Sequence, residues 1–465
     1  MLARALPRLL TIILPLIVLF YLLSRTSNPP VPTDSSDSTL PSSRWQWIKS
    51  SNNVTEKPKP LPSTGQVVPP SHLVTIDDHG EIVIDHSAYT VLVSNSTKSG
   101  KYFNIKYGNF DAYNPNIVAH PTRHDAWIVV AQQEQSREQY HTITQLVCAA
   151  RFVGEELTCV AEPTKLPIEN TEGHCTGDLE YFNYGLGPRD ARAFQGPDAP
   201  YILYGSQATY TCLGVWMQDL RLLVKDYKTQ SVLAKTFRQG TEVQRPPPVH
   251  GLEKNFFIFW DMHGEMYVHY DIYPQRTFAK LNMDGSVGPD LAPLAAKKDA
   301  ISLSKYMPKL PPEHAAIHQA SNTISITMCK RADPTCKPTE KNTFIMTIFQ
   351  YKSFFDFHGV YEPYVMLFQQ HLPFAIHAIS SKPFWITGRA PFSKATGSIT
   401  WLDRDDLPEN HSEMIYVTSI SWKTHGQRYH GYLDDIMFVG FGIEDTRPAA
   451  IDIVAEDLLK DLNFC

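Results

Sequence analysis

The sequence predicts an all-β fold, a five-bladed β-propeller, carried behind an N-terminal membrane anchor and a disordered stalk. Short apolar runs bounded by turn residues recur from residue 72 to the end, and long amphipathic helical patterns are nearly absent. The recurring unit is a polar head, a short apolar strand, a turn and a second apolar strand, and roughly five such units fill the body. Their irregular spacing excludes a fixed-period repeat and suits a propeller with decorated loops. A β-sandwich with long insertions is the alternative.

Three segments are expected. Residues 1–24 read as a cytoplasmic tail and signal anchor, because an apolar run over residues 9–23 follows Arg4 and Arg8. The run is short for a transmembrane helix, so a cleaved signal peptide competes, yet Ser24-Arg25-Thr26-Ser27 offers no small-x-small cleavage site. Basic residues ahead of the run favour a type II orientation, a bias that Arg25 weakens. Residues 25–72, rich in Pro, Ser and Thr, form a stalk with too little apolar surface to offset ordering entropy. Residues 73–465 form one lumenal body. With 43% hydrophobic and 11% aromatic residues the chain can bury a large core, and a net charge of −6 argues against nucleic acid as a partner.

Strands are expected at residues 117–120 and 126–131, 191–194 and 201–204, 256–260 and 266–270, 323–328, 344–351, 384–387, 414–420, 436–440 and 451–454. Residues 453–462 read as a short terminal helix. The polar heads are Tyr113 to Asn116, Gly187 to Arg192, Glu253 to Asn255, Glu313-His314 and the Arg428 to Asp435 region.

The cysteines suit an oxidising compartment. Cys148 and Cys159 bracket a hairpin, Cys329 and Cys336 enclose a short loop, Cys175 and Cys212 can close a longer one, and Cys465 is left over. Sequence does not fix connectivity, so the pairing stays open here. No CxxC spacing or companion histidine pattern points to zinc. Sequons at Asn53, Asn95 and Asn410 fit a lumenal chain.

Several heads carry chemistry. Asp190 lies between Arg189 and Arg192, guanidinium groups that can orient a carboxylate or bind an anion; a structural ion pair is the plainer reading. Lys254 and Asn255 offer a cation and an amide beside a strand, Asn114 and Asn116 offer amides for sugar hydroxyls, and each motif alone reads equally as a turn. Glu444, Asp445 and Arg447 follow an apolar strand and can point into a site or form a polar hairpin. His314 and His318 lack a third ligand, so no metal site is assigned. Trp127, Trp216, Trp260 and Trp385 suit sugar stacking, although core packing competes. Asp403 and Asp405 form a D-x-D, a metal–nucleotide signature of Rossmann-type glycosyltransferases, but the chain lacks alternating strands and helices.

In order along the chain, Asn-Pro-x at 114–116, R-D-x-R at 189–192, E-K-N-F before a strand–turn–strand at 253–270 and G-I-E-D-T at 442–446 resemble the five-bladed propellers of the β-mannoside phosphorylases. They are also similar to the related propeller-type β-1,2-mannosyltransferases. The resemblance spans most of residues 110–460. It implies that Asp190 is the catalytic acid or base, acting through a sugar hydroxyl, with Arg192 beside it. It further implies that Lys254 binds phosphate, that Asp445 touches the sugar, and that Asn114 and Asn116 line the same funnel. Asp-Ala-Arg stands where that family often has Asp-Pro-Arg, and Phe256 where it has Trp, so the donor stays open between phosphate, a nucleotide sugar and water.

Anchor, stalk and lumenal body form the layout of a type II Golgi membrane protein. The main expectation is therefore a Golgi-type glycosyltransferase moving a hexose, mannose by the resemblance, from a nucleotide sugar to a glycan acceptor. No cofactor is implied with certainty, and a divalent metal stays open. The alternatives are a secreted glycoside hydrolase or phosphorylase acting on mannosides, and a non-catalytic glycan-binding propeller.

Overall fold

The computed structural model describes residues 73–134, 142–310, 316–319, 321–355, 358–393 and 411–465. The anchor and stalk, the sequons at Asn53 and Asn410, Glu313-His314 and the D-x-D at Asp403 and Asp405 all lie outside the described residues. Among those described, no helix is long and apolar enough to cross a membrane.

The all-β expectation holds. The main strands fall into five successive antiparallel groups, here called sheets, of which the first and last are joined through Phe103–Lys106 into one nine-stranded sheet. The first comprises Ala112–Ala119, Trp127–Gln133, Gln145–Val153 and Glu156–Cys159. The second runs from Arg189–Gln195 through Pro200–Gln207 and Leu213–Asp219 to Thr241–Val243. The third is Phe257–Trp260, Met266–Asp271 and Thr277–Lys280. In the fourth, Ala316–Gln319 and Ile324–Thr327 both pair with Thr343–Phe355, which pairs in turn with His358–Gln369. The fifth is Ile415–Trp422, Ile436–Ile443 and Arg447–Val454, with Phe103–Lys106 added at its outer edge.

Burial explains why these runs are continuous apolar stretches rather than alternating ones: each sheet is covered on both faces by its neighbours. Val118, Ile128 and Val130 of the first sheet pack with Ala191, Ala193 and Ile202 of the second. Phe194, Leu203 and Met217 of the second pack with Phe257, Phe259 and Trp260 of the third, and Phe368 and Phe374 join from the fourth. Met346 and Val365 of the fourth meet Val417, Val439 and Ile451 of the fifth. Phe438 and Ala450 of the fifth meet Ile117, Val129 and Ala131 of the first, so the succession closes into a ring. Phe103–Lys106 reinforces the closure, antiparallel to the last sheet and parallel to the outer strand of the first. A sandwich of two sheets has no such cycle of interfaces, and that alternative is set aside.

Buried amides tie the inner strands together. Asn116 Nδ2 donates to Ala191 O at 2.8 Å, Gln319 Nε2 to Asn255 O at 2.8 Å, and Asn322 Nδ2 to Ile420 O at 2.9 Å. Thr418 Oγ1 donates to Pro115 O at 2.6 Å. Each bond is made to a carbonyl of the neighbouring sheet or its lead-in.

Two departures from expectation are local. The helix Ala296–Tyr306 was not foreseen; Leu303 packs on the outer side of the fourth sheet, while Asp299 is buried against Arg276 at 2.9 Å. The terminal helix shortens to Ala455–Leu458, because the chain then turns into the strand Leu462–Phe464 and pairs with Ile376–Ser380. Three disulfides form, Cys148–Cys159, Cys175–Cys212 and Cys329–Cys336, and Cys465 is free, as the spacing suggested. They favour a secreted or lumenal compartment.

Candidate active site

The inner strands of the ring begin at one common end, and the sequence-predicted heads meet there. At Tyr113/Asn116 and again at Arg189/Arg192 the pairing register of the strand shifts by a bulge. Inside each bulge one residue adopts a left-handed backbone: Asn114 at φ 55° and Asp190 at φ 46°. Such bulges re-aim a side chain away from the ladder, and Asn and Asp tolerate the conformation better than other L-residues. Asn255 at φ 60° and Asp445 at φ 49° repeat the device on the third and fifth sheets.

Asp190 is exposed at the mouth, and the bonds around it hold its backbone. Its N–H donates to Gln132 Oε1 at 2.8 Å, and Gln132 donates in turn to the Tyr113 hydroxyl. Asn114 Nδ2 donates to Asp190 Oδ1 at 3.4 Å. Arg192 donates to the carbonyls of Asp190 at 3.0 Å and Ala191 at 3.3 Å, and its guanidinium lies 5.9 Å from the Tyr416 ring centroid. Arg189 donates to Gly185 O at 2.7 Å. Among the described residues no ion pair joins Asp190 to either arginine, so the structural ion-pair reading of this motif fails. Its carboxylate is presented to the mouth.

The charges around it are mutually coupled. Burial, followed by the carboxylates of Asp190 and Asp445, raises the Tyr113 hydroxyl above its usual range. Tyr416 is raised by burial and by the same two carboxylates, with Arg192 opposing. Tyr361, whose ring meets that of Tyr416 edge-on at 4.9 Å, is raised by burial, Tyr416, Asp445 and Asp190. Beside Tyr361, burial and the nearby Lys254 ammonium lower Lys352 to about 8, with Asp445 opposing. Burial, Lys352 and Lys254 keep His318 neutral by lowering it to about 3. The mouth therefore carries two carboxylates, a set of phenols, two lysines and a neutral imidazole, with the Lys352 ammonium 5.2 Å from the Tyr361 ring centroid.

The predicted residues divide accordingly. Asp190, Asn114, Lys254 and Asp445 come together, with Arg192 behind them. Asn116 does not reach a ligand: it is fully buried, and its amide holds Ala191 O and Val130 O, so its expected sugar contact is corrected to a positioning role. Glu253 pairs with Arg245 at 2.9 Å and accepts from His250 N at 2.8 Å, fixing the loop that carries Lys254. Glu444 is buried and accepts from Met414 N, and Arg447 pairs with Glu413 at 2.8 Å, so neither points into the site. Trp127, Trp260 and Trp385 are buried and Trp216 is half-buried with its indole bonded to Gln207 O, which makes them core rather than sugar platforms. Among the described residues no cluster of three or more metal-ligating side chains forms.

Lys352, Tyr361 and Tyr416 were missed. They sit inside strands whose neighbours are apolar, and no turn or head marks them; only the interruption of an apolar run by a lysine at 352 was visible. The long hairpin of Thr343–Phe355 and His358–Gln369 pairs Lys352 with Tyr361, which lifts both to the mouth.

No family profile matches this sequence, and no curated protein does. Several solved structures are similar to it. A β-1,2-mannobiose phosphorylase from Listeria innocua, in complex with β-1,2-mannobiose, matches at 12% identity over 75% of this chain and 91% of that one, with a TM-score of 0.41. A glycosyl hydrolase from Bacteroides ovatus matches at 11% identity over 82% and 96%, with a TM-score of 0.37. A GH62 hydrolase in complex with xylotriose matches at 9% identity over 76% and 97%, with a TM-score of 0.33. These similar structures are hydrolases and a phosphorylase, not nucleotide-sugar transferases. That finding contradicts the expectation of a Golgi-type nucleotide-sugar glycosyltransferase, which is not carried further.

Proposed function

We propose that this chain is a carbohydrate-active enzyme of the phosphorylase type, a five-bladed β-propeller that cleaves mannosides with inorganic phosphate. The reading rests on the paired cations. The exposed Lys254 lies close enough to the largely buried Lys352 for its charge to help depress Lys352, and an anionic group bound between the two ammonium groups relieves that repulsion. Asp190, held in its bulge, protonates the leaving oxygen, directly or through a sugar hydroxyl. The phosphate oxygen forms the new bond to the anomeric carbon as the glycosidic C–O bond breaks, and the departing oxygen takes the proton from Asp190. Arg192 and Asn116 position the Asp190 backbone, and Asn114 and Asp445 meet the sugar.

The deciding experiment incubates the purified lumenal body with β-1,2-mannobiose, with and without inorganic phosphate. Mannose 1-phosphate formed only with phosphate supports the proposal, and no cleavage in either condition overturns it. Free mannose formed regardless of phosphate supports the second reading, hydrolysis. That reading draws on the joint influence of Asp190 and Asp445 on Tyr113, Tyr361 and Tyr416, since an inverting hydrolase needs two nearby carboxylates.

The same proposal carries the N-terminal run as the element that brings the body into the secretory pathway, retained as a type II membrane protein or released. Fractionating expressing cells, with and without residues 1–24, separates a membrane-bound product from a secreted one.

A further inference from the structure

The rim beside Asp190 carries aromatic rings that the cleavage chemistry does not use. Residues 173–187 form an excursion ahead of the second sheet, tied down at several points. Cys175 is bonded to Cys212, in the turn that joins Pro200–Gln207 to Leu213–Asp219. Asn183 clasps the Cys175 backbone from both sides, accepting from its N–H at 2.9 Å and donating to its carbonyl at 2.8 Å. Gln207 Nε2 donates to Phe182 O at 2.7 Å and Gly185 O at 2.9 Å. Beneath the excursion, Cys175, Phe182 and Leu213 form a small core against which Leu179, Cys212 and Leu252 pack.

This core touches both chain segments that carry the site. Phe182 lies under the Arg189 guanidinium at 5.5 Å, one residue before Asp190, and Leu252 stands two residues before Lys254. On the outer surface of this anchored segment, Tyr181 is 49% exposed and Tyr184 63%, and Tyr210 in the disulfide-bonded turn is 61% exposed. Tyr181 rests on Phe182, ring centroids 4.2 Å apart, and its hydroxyl is within the field of Arg189. Large aromatic surface exposed on a rigid, cross-linked rim is unusual for a part that only maintains the fold.

We infer that the disulfide-anchored rim bearing Tyr181, Tyr184 and Tyr210 is a further sugar-binding subsite, which takes the residues of a mannoside chain extending out of the cleavage site. Tyrosine suits this task because its ring stacks on the apolar face of a pyranose while its hydroxyl meets the equatorial rim. The occupant is argued from continuity: the Phe182–Arg189 contact sets this segment beside Asp190, so a glycan with its scissile bond at Asp190 has residues 181–184 as its neighbouring rim. The inference rests on the proposed mannoside reading and adds chain-length preference to it.

The test compares β-1,2-mannobiose with β-1,2-mannotetraose on the parent, Tyr181→Ala, Tyr184→Ala and the double variant. Both turnover and calorimetric binding are read, with a thermal melt to confirm folding. The expected result is a loss of about tenfold in affinity for the tetrasaccharide in the double variant, with disaccharide turnover unchanged. Tyr181→Phe retains most of the affinity. Equal losses on both lengths, or no loss on the tetrasaccharide, overturn the subsite. A parent that cleaves the disaccharide but gains nothing from length overturns the subsite alone, whereas a parent that neither binds nor cleaves mannosides overturns the functional reading with it.

Discussion

Replacing Lys254 with Met tests the paired-cation argument from two directions at once. Lys352 is lowered from an ordinary 10.5 to about 8, first by burial and then by Lys254. A drop of that size corresponds to roughly 3 kcal/mol against the charged ammonium. The Lys254 part is a like charge across a solvent-filled mouth, on the order of 1 kcal/mol. Removing it raises Lys352 by about one pH unit and leaves the burial contribution in place. Phosphate binding requires Lys352 to be protonated. In the parent, affinity for phosphate therefore falls as pH rises through about 8. In Lys254→Met the fall begins at higher pH. Below that fall the variant binds phosphate more weakly, by roughly tenfold to a hundredfold, because one charged donor is gone. Calorimetric titration with inorganic phosphate across this range measures both effects. An alkaline limb that stays near 8 or moves down, or an unchanged affinity on the acid side, refutes the claim that these lysines share one anion.

The remaining predictions concern the carboxylate and its support. Asp190→Asn and Asp190→Gly keep the left-handed backbone and lower turnover by about a hundredfold to ten-thousandfold with no loss of melting temperature, whereas Asp190→Ala is also strained at φ 46° and melts lower. Asn116→Ala removes the buried amide bonds to Ala191 O and Val130 O, costs about 1–3 kcal/mol in denaturant unfolding, and lowers kcat more than it raises KM because it loosens Asp190. Gly442→Ala places a Cβ 2.4 Å from Asn114 Oδ1, so sugar affinity falls while the sheet persists, read by binding and circular dichroism together. Cys212→Ser opens the Cys175–Cys212 link and destabilises by about 3–4 kcal/mol on a chain-entropy basis, measured by unfolding with the other disulfides intact.

Much of the ring was legible because its physics is local. The pairs at 117–131, 191–204 and 256–270 read as apolar strand, polar turn, apolar strand, and each became a hairpin of one sheet. The heads were legible for the same reason: Asn114, Asp190, Asn255 and Asp445 are residue types that accept a left-handed backbone, and they stand where strands begin or turn. What stayed hidden depended on neighbours far along the chain. Asn116 resembles Asn114 in sequence, yet one faces Ala191 O across a sheet interface and the other faces Asp190. Glu253 and Lys254 are adjacent, and only the distant Arg245 and Asp271 make the first structural. Lys352 carried no local mark because its role is created by the pairing of a long hairpin and by the charge of Lys254.

The backbone of this rim is consistent with the ligand-binding role proposed for it. Among the described residues, seven non-glycine positions have positive φ, and five of them are Asn114, Asp190, Asn255, Glu444 and Asp445. The other two, Phe237 and Phe374, are buried in the core between the second and third sheets, where packing compensates them. The other five are held by polar bonds instead, Glu444 by Met414 N and Asp190 by Asn114 and Gln132, and each costs on the order of 1 kcal/mol, less for Asn and Asp. Neither bulge adds a ladder bond; both interrupt one. A ring closed by its apolar interfaces would be more stable with regular strand starts at this end. The strain is instead concentrated where Asp190, Asp445, Lys254 and Lys352 face one another, and it sets the direction in which those charges point. On the proposed function, an anion and a polyol bound across that mouth are what this geometry is set to receive.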